Sequence, residues 1–157
     1  MKILYAPSQR AFSDDLRVNV ACGFDVMVLD SILESKSGEV LYLPHEETSP
    51  KIVEAILGIF GDSLEQADGM AKVDVLVSDV SILALKYALW TSHPSILCLF
   101  GFNGIQLPQN DRYYNLVSHL SHCVYSPNAL KETLRDYQNI KEQKQEEIKK
   151  FLQGVVL

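Results

Sequence analysis

Ser8 and Arg10 stand two positions apart behind one short apolar run, and Asp79 and Ser81 stand two positions apart behind another. At the first turn, backbone N–H groups, a hydroxyl and a guanidinium could converge on a phosphate or carboxylate. At the second, an acid could orient a sugar hydroxyl or act as a base. The same residues also have structural roles open to them. Ser8 could cap a turn, Arg10 could sit in a surface ion pair, and Asp79 and Ser81 could cap the next helix. Asp62, Glu65 and Asp68 precede the second run and either swing a carboxylate toward it or serve as helix-start and surface acids.

Other chemistries find less support. The turn at residues 7–10 has no glycine-rich loop, and the chain holds no Walker or GxGxxG phosphate cradle. His45, His93, His119 and His122 lack the i, i+4 ligand spacing with a supporting acid, so no metal or other cofactor is expected. His45 reads as a satisfied loop histidine. Cys22, Cys98 and Cys123 are odd in number, widely spaced and set in apolar runs, which suggests reduced core thiols rather than disulfides or a zinc motif. Cys98 falls within a strand, an unfavourable place for a thiolate nucleophile.

The elements that must position these side chains follow from apolar patterning. Runs at residues 3–6, 40–43, 73–77, 96–100 and, more weakly, 123–125 are continuous rather than alternating, as strands covered on both faces require. Between them lie helical patterns. Ser13 or Asp14 can cap a helix in which Leu16, Val20, Phe24, Val28 and Ile32 recur every four residues, with Gly38 beyond its end. Pro50 opens a second helix that Gly61 ends, and a shorter helix is expected from Ser63. Residues 82–90 form a third, closed by Pro94. After the loop opened by Gly101 and Gly104, residues 111–120 form a fourth. Ser126 and Pro127 start a last helix through Leu130, Leu134, Tyr137 and Ile140. Beyond Ile140, residues 141–147 carry no apolar side chain, so the domain is placed at 1–140 and 141–157 is read as a polar extension, a solvated face or a projecting tail.

Five alternations of strand and helix predict a single doubly wound, flavodoxin-like (Rossmann-like) three-layer α/β sandwich with a five-stranded parallel sheet of order 2-1-3-4-5. In such sheets the ligand site lies at the carboxyl ends of the strands, beside the switch point between the first and third. That places the turns at residues 7–10 and 79–81 on either side of one cleft.

The 157 residues, 47% apolar and 22% charged, suit one folded domain. A net charge of -6 without clustered Lys or Arg outside the C-terminal helix argues against a nucleic acid polymer as partner. No apolar run approaches the roughly 20 residues of a membrane span, and Met1-Lys2 leads into a strand-like run rather than a signal peptide, so a cytoplasmic protein with no membrane partner is expected.

The opening residues 2–10, KILYAPSQR, resemble the strand and Ser-x-Arg turn of the nucleoside 2-deoxyribosyltransferases and the related deoxynucleoside 5′-monophosphate N-glycosidases. Residues 38–45, 72–81, 87–89 with 96–100, and 129–137 resemble later segments of that family in the same order, so the likeness covers about residues 1–140. It implies a small-molecule nucleoside or nucleotide ligand, an N-glycosidic bond as the reacting group, and a homodimer or larger assembly in which a neighbour completes the pocket. It also implies that Ser8, Arg10 and Ser81 contact phosphate or sugar. The family's nucleophile, a helix-borne Glu, falls on Ala84 or Leu85, and no carboxylate follows Asp79 until Asp111. Its assisting Asp falls near Gln66, with Asp68 reachable by a shift, and its Tyr falls at Leu4 unless Tyr5 substitutes. Asp79, Asp68 and Tyr5 are therefore the catalytic candidates if the chain reacts. A noncatalytic binding or assembly subunit is the other reading. A rival likeness, to the nucleotide-binding half of the CDP-glycerol glycerophosphotransferases, rests on residues 4–10 and 74–81 and calls for a partner chain to supply the second half.

Overall fold

In the computed structural model, residues 1–10, 16–70, 72–100 and 112–156 are described. Six strands form one all-parallel sheet: β1 (Lys2–Tyr5), β2 (Glu39–Tyr42), β3 (Glu65–Gln66), β4 (Val75–Ser78), β5 (Ser95–Cys98) and β6 (Ser121–Val124). Their order is β3-β2-β1-β4-β5-β6. The five apolar runs supply five of these strands in the expected flavodoxin-like order, and the sixth corrects the expected count. Where a short helix was expected from Ser63, a single 3-10 turn (Gly61–Ser63) leads into β3, whose two residues pair with Leu41 and Tyr42.

Among the described residues, six helices cover the sheet: α1 (Leu16–Ser35), α2 (Pro50–Phe60), α3 (Ile82–Thr91), α4 (Arg112–Leu120), α5 (Pro127–Arg135) and α6 (Tyr137–Val156). Alternate residues of each strand face opposite layers. Ile3, Tyr5, Val75 and Val77 pack with Phe24, Val28 and Ile32 of α1, Ile52 and Ile56 of α2, and Leu130 and Leu134 of α5. Leu4, Ala6, Leu76 and Leu97 pack with Ala84, Leu85 and Ala88 of α3, Val117 and Leu120 of α4, and Ile148 of α6. The result is a helix–sheet–helix sandwich.

Local sequence explains the helix ends. Pro50 begins α2, and Gly61 ends it with φ 54, a left-handed conformation that glycine adopts without a Cβ penalty. Ser81 accepts the Ala84 amide and caps α3; Ser126 accepts the Ala129 amide ahead of Pro127 in α5. The expected caps Ser13 and Asp14 and the loop at Gly101 and Gly104 lie outside the described residues, as does Asp111.

The last helix differs from expectation. The chain turns at Asp136: Tyr137 at the start of α6 still packs on the layer of α5, and α6 reaches the other layer at the fully buried Ile148, with Phe151 and Leu152 beside it. His119 of α4 stacks on Phe151 with ring centroids 4.4 Å apart. Residues 141–147 thus belong to a packed helix, with Lys141, Lys144 and Gln145 half-buried, and are not a projecting tail. Among the described residues, no helix is long and apolar enough to cross a membrane.

Candidate functional site

β1 and β4 are hydrogen-bonded neighbours whose chains leave the sheet toward different helices, which makes their carboxyl ends the switch point. A cleft of about 640 Å³ opens there, within the usual size of small-molecule sites. Its walls are residues 6–9 after β1, residues 43–46 after β2, Asp68 after β3, and residues 80–83 where α3 begins. A second hollow of about 540 Å³ shares Leu43, Pro44, His45, Glu46 and Asp68 with it and continues toward Thr48 and Glu54.

The cleft lining is largely apolar, from Ala6, Pro7, Leu43, Pro44, Val80, Ile82 and Leu83, with Ser8, Gln9, His45, Glu46, Asp68 and Ser81 as its polar groups. Two of these are carboxylates, and among the described residues no Lys or Arg lines either hollow. Such a lining accepts hydrogen bonds from hydroxyl or amino groups and disfavours a phosphate.

Beneath the β1 turn lies a buried polar cluster. The Arg10 guanidinium donates from Nε to Asp25 Oδ2 and from Nη2 to Asp25 Oδ1, both at 3.0 Å. Nη2 also reaches Asp79 Oδ2 at 2.8 Å, and Nη1 donates to Ser8 Oγ at 2.8 Å and to the Ser8 and Gln9 carbonyls at 3.3 and 3.4 Å. Asp79 in turn accepts the Ser8 amide at 2.8 Å and the Ser8 hydroxyl at 2.9 Å. Tyr5 donates its hydroxyl to Asp25 Oδ1. Arg10 is 5% exposed and Tyr5 and Asp25 are fully buried. Burial pushes the Asp25 carboxyl up to about 6 against the opposing pull of Arg10 and the Tyr5 hydroxyl. Burial, with Asp25 next to it, holds the Tyr5 phenol well above its ordinary value. Asp25 and Asp79 raise the Arg10 guanidinium above its ordinary value although burial acts the other way.

These contacts separate the sequence candidates into two sets. Ser8, Ser81 and Asp68 line the cleft. Tyr5, Arg10 and Asp79 lie in the buried cluster beside it, with Arg10 pointed at protein acceptors and Asp79 occupied by Ser8 and Arg10. Of the two roles open to Arg10, ligand contact or a surface ion pair, its contacts here are those of an ion pair, and a buried one. Ser81 takes the capping role and also meets Ser78 Oγ at 2.9 Å. Asp62 and Glu65 are exposed and lie away from both hollows, whereas His45 is in the cleft rim with its Nδ1 accepting the Glu47 amide at 3.1 Å. Among the described residues, no group of three His, Cys, Asp or Glu is placed to hold a metal ion.

Asp25, Glu46 and Gln9 were not among the sequence candidates. Asp25 had a signal: it lies on the same helical stripe as Val28, Leu29 and Ile32, an acid at a position where the period of α1 predicts burial. Glu46 and Gln9 are ordinary loop residues whose importance arises only from where the sheet brings the loops together.

No protein-family model matches the chain, and a search of curated proteins returns no significant relative. The fold and site define an α/β domain with a switch-point cleft.

Proposed function

We propose that the chain binds a nucleoside in the switch-point cleft and does not cleave its glycosidic bond. The observation that supports this reading is the composition of the cleft lining: apolar side chains, an amide at Gln9, and carboxylates at Glu46 and Asp68 with no cation beside them among the described residues. Glu46 and Asp68 accept sugar hydroxyls, Gln9 offers both a donor and an acceptor to a base edge, and the apolar lining covers the base. A nucleotide fits less well, because its phosphate would meet like charge without a guanidinium or ammonium to pair with. Displacement of the base needs a carboxylate held against the anomeric carbon. The α3 wall offers Ile82 and Leu83 there, and α3 carries no acid along its length. The resemblance to nucleoside 2-deoxyribosyltransferases agrees with this ligand class and with the loss of reaction.

The test is a panel of nucleosides and nucleoside monophosphates, read by thermal unfolding and by chromatography for free base. A cognate nucleoside at 100 times its Kd stabilises the fold by about 2.7 kcal/mol. Stabilisation by nucleosides without base release is expected, and monophosphates are weaker. A panel that leaves the unfolding temperature unmoved, or monophosphates that bind more tightly than their nucleosides, removes this reading.

The outward face of α3 favours a second reading, an assembly subunit: Ile82, Leu89 and Trp90 are 64%, 49% and 70% exposed. Sedimentation of the wild type and of Trp90→Glu over a range of concentrations tests it. Assembly that the substitution does not weaken removes α3 as the contact.

A further inference from the structure

Arg10 braces two walls of the cleft at once. Its guanidinium holds the Ser8 hydroxyl and the Ser8 and Gln9 carbonyls of the first wall. Its backbone N–H donates to Thr48 Oγ1 at 3.0 Å and its carbonyl accepts the Ser49 amide at 3.0 Å, which ties the loop carrying Glu46 to the same residue. The guanidinium itself is held in place by the Asp25 fork and by Asp79. One positive charge thus serves two carboxylates. With both ionised, the cluster keeps a net negative charge in a place nearly closed to water.

We propose that Asp25 is a proton-operated lock on the cleft: ionised, it fixes Arg10 and the wall at Ser8 and Gln9, and protonated, it lets that wall loosen. A carboxylate accepts both fork bonds with charge assistance, and such bonds are about twice as strong as neutral ones. A carboxylic acid must commit one oxygen to its own proton and cannot accept the fork in the same way. Arg10 then keeps one anionic partner, Asp79, which also carries both Ser8 bonds.

Among the described residues, the titratable groups facing Asp25 are Tyr5 from β1, Arg10 from the turn after it and Asp79 from the end of β4. The Cys98 thiol on β5 feels Asp79, and burial holds it protonated well above its ordinary value. Tyr5 likewise stays protonated through neutral pH. Burial brings the Asp25 carboxyl up to about 6, so its charge changes in mildly acidic solution.

The proposal rests on the nucleoside reading for its functional consequence, but the lock itself is measurable without ligand. The backbone amide signals of Ser8, Gln9 and Arg10, followed by nuclear magnetic resonance from pH 4.5 to 8, are expected to shift together with the Asp25 carboxyl. In Asp25→Asn the shared transition disappears. Where Asp25→Asn does not fold, Tyr5→Phe serves: loss of the phenol hydrogen bond moves the transition to higher pH. Amides that do not follow Asp25, a transition retained in Asp25→Asn, or a midpoint unmoved in Tyr5→Phe overturns the lock. Calorimetry with adenosine is the second arm. One pH unit below the midpoint about a tenth of Asp25 remains ionised, so affinity linked to that form falls about tenfold between pH 7 and pH 5. A shared amide transition without adenosine binding at any pH upholds the lock and counts against the ligand reading alone. Adenosine binding that is flat with pH overturns the lock.

Discussion

Ser8 and Asp79, 71 positions apart in sequence, are joined by two hydrogen bonds, from the Ser8 amide to Oδ1 at 2.8 Å and from its hydroxyl to Oδ2 at 2.9 Å. The pair closes the gap between the turns after β1 and β4 at the place where these neighbouring strands part. Asp79 thereby spends its acceptor capacity on the protein, and Ser8 presents its remaining surface to the cleft.

Asp79→Ala removes the acceptor of the Ser8 amide, of the Ser8 hydroxyl and of one of the two N–H bonds of Arg10 Nη2, the other still reaching Asp25. A loss of about 2 kcal/mol in urea denaturation is expected from the buried donors left short of an acceptor, Arg10 keeping Asp25 as its counter-ion. Asp79→Asn retains an acceptor for the Ser8 amide and is expected to recover about 1 kcal/mol of that loss. Equal effects of the two substitutions argue against the amide contact.

The pH dependence of stability carries the sign of the Asp25 shift. The folded carboxyl lies at about 6 and the free one at 3.8, so the folded state holds more protons between those values. Stability from this group is complete below about pH 4 and is lost as pH rises through about 6, by on the order of 3 kcal/mol. Asp25→Asn is expected to remove that slope from a plot of unfolding free energy against pH. Arg10→Met should steepen it, because the opposing cation is gone, and that variant is expected to be more stable at pH 5 than at pH 7.

Glu46→Gln and Asp68→Asn test the cleft carboxylates. Both residues are exposed, so stability is expected to change by less than about 0.5 kcal/mol. Nucleoside affinity is expected to fall about tenfold for each, the scale of one lost charged hydrogen bond. Calorimetry showing wild-type affinity in both variants moves the sugar away from this wall.

Ile148→Ala tests whether α6 belongs to the core. Its side chain is fully buried, and truncation leaves a void that costs about 3 kcal/mol. A variant with wild-type denaturation would show α6 to be dispensable.

Gly38→Ala brings a methyl group to 2.0 Å from the Met1 carbonyl oxygen, a backbone atom. The Glu39 amide donates to that same oxygen at 2.9 Å, so β1 and β2 must part at their start to make room. A loss of about 2 kcal/mol is expected, measured by thermal unfolding.

The layers and strand order were legible in the sequence because continuous apolar runs and helical stripes report burial directly. β3 was not. Glu65 and Gln66 are both exposed, and they join the sheet through backbone pairing with Leu41 and Tyr42, which leaves no apolar trace. The break at Asp136 was hidden because Leu130, Leu134, Tyr137 and Ile140 keep one helical spacing across it, while the stripe of Ile148, Phe151 and Leu152 lies beyond the polar residues 141–147. For the site, the two turns were legible from sheet logic and the polar residues on them. Their roles were not, since the contact partners of Arg10 lie 15 and 69 positions away and decide which way its side chain points.

The brevity of β3 has a consequence for how the protein behaves in a crowded solution. Free edge strands offer open N–H and C=O groups on which another chain can add. Here that edge is two residues long, and one of them is a glutamate. An incoming strand would find too short a ladder and a charge along it, so the domain presents a poor template for sheet-to-sheet aggregation on this side.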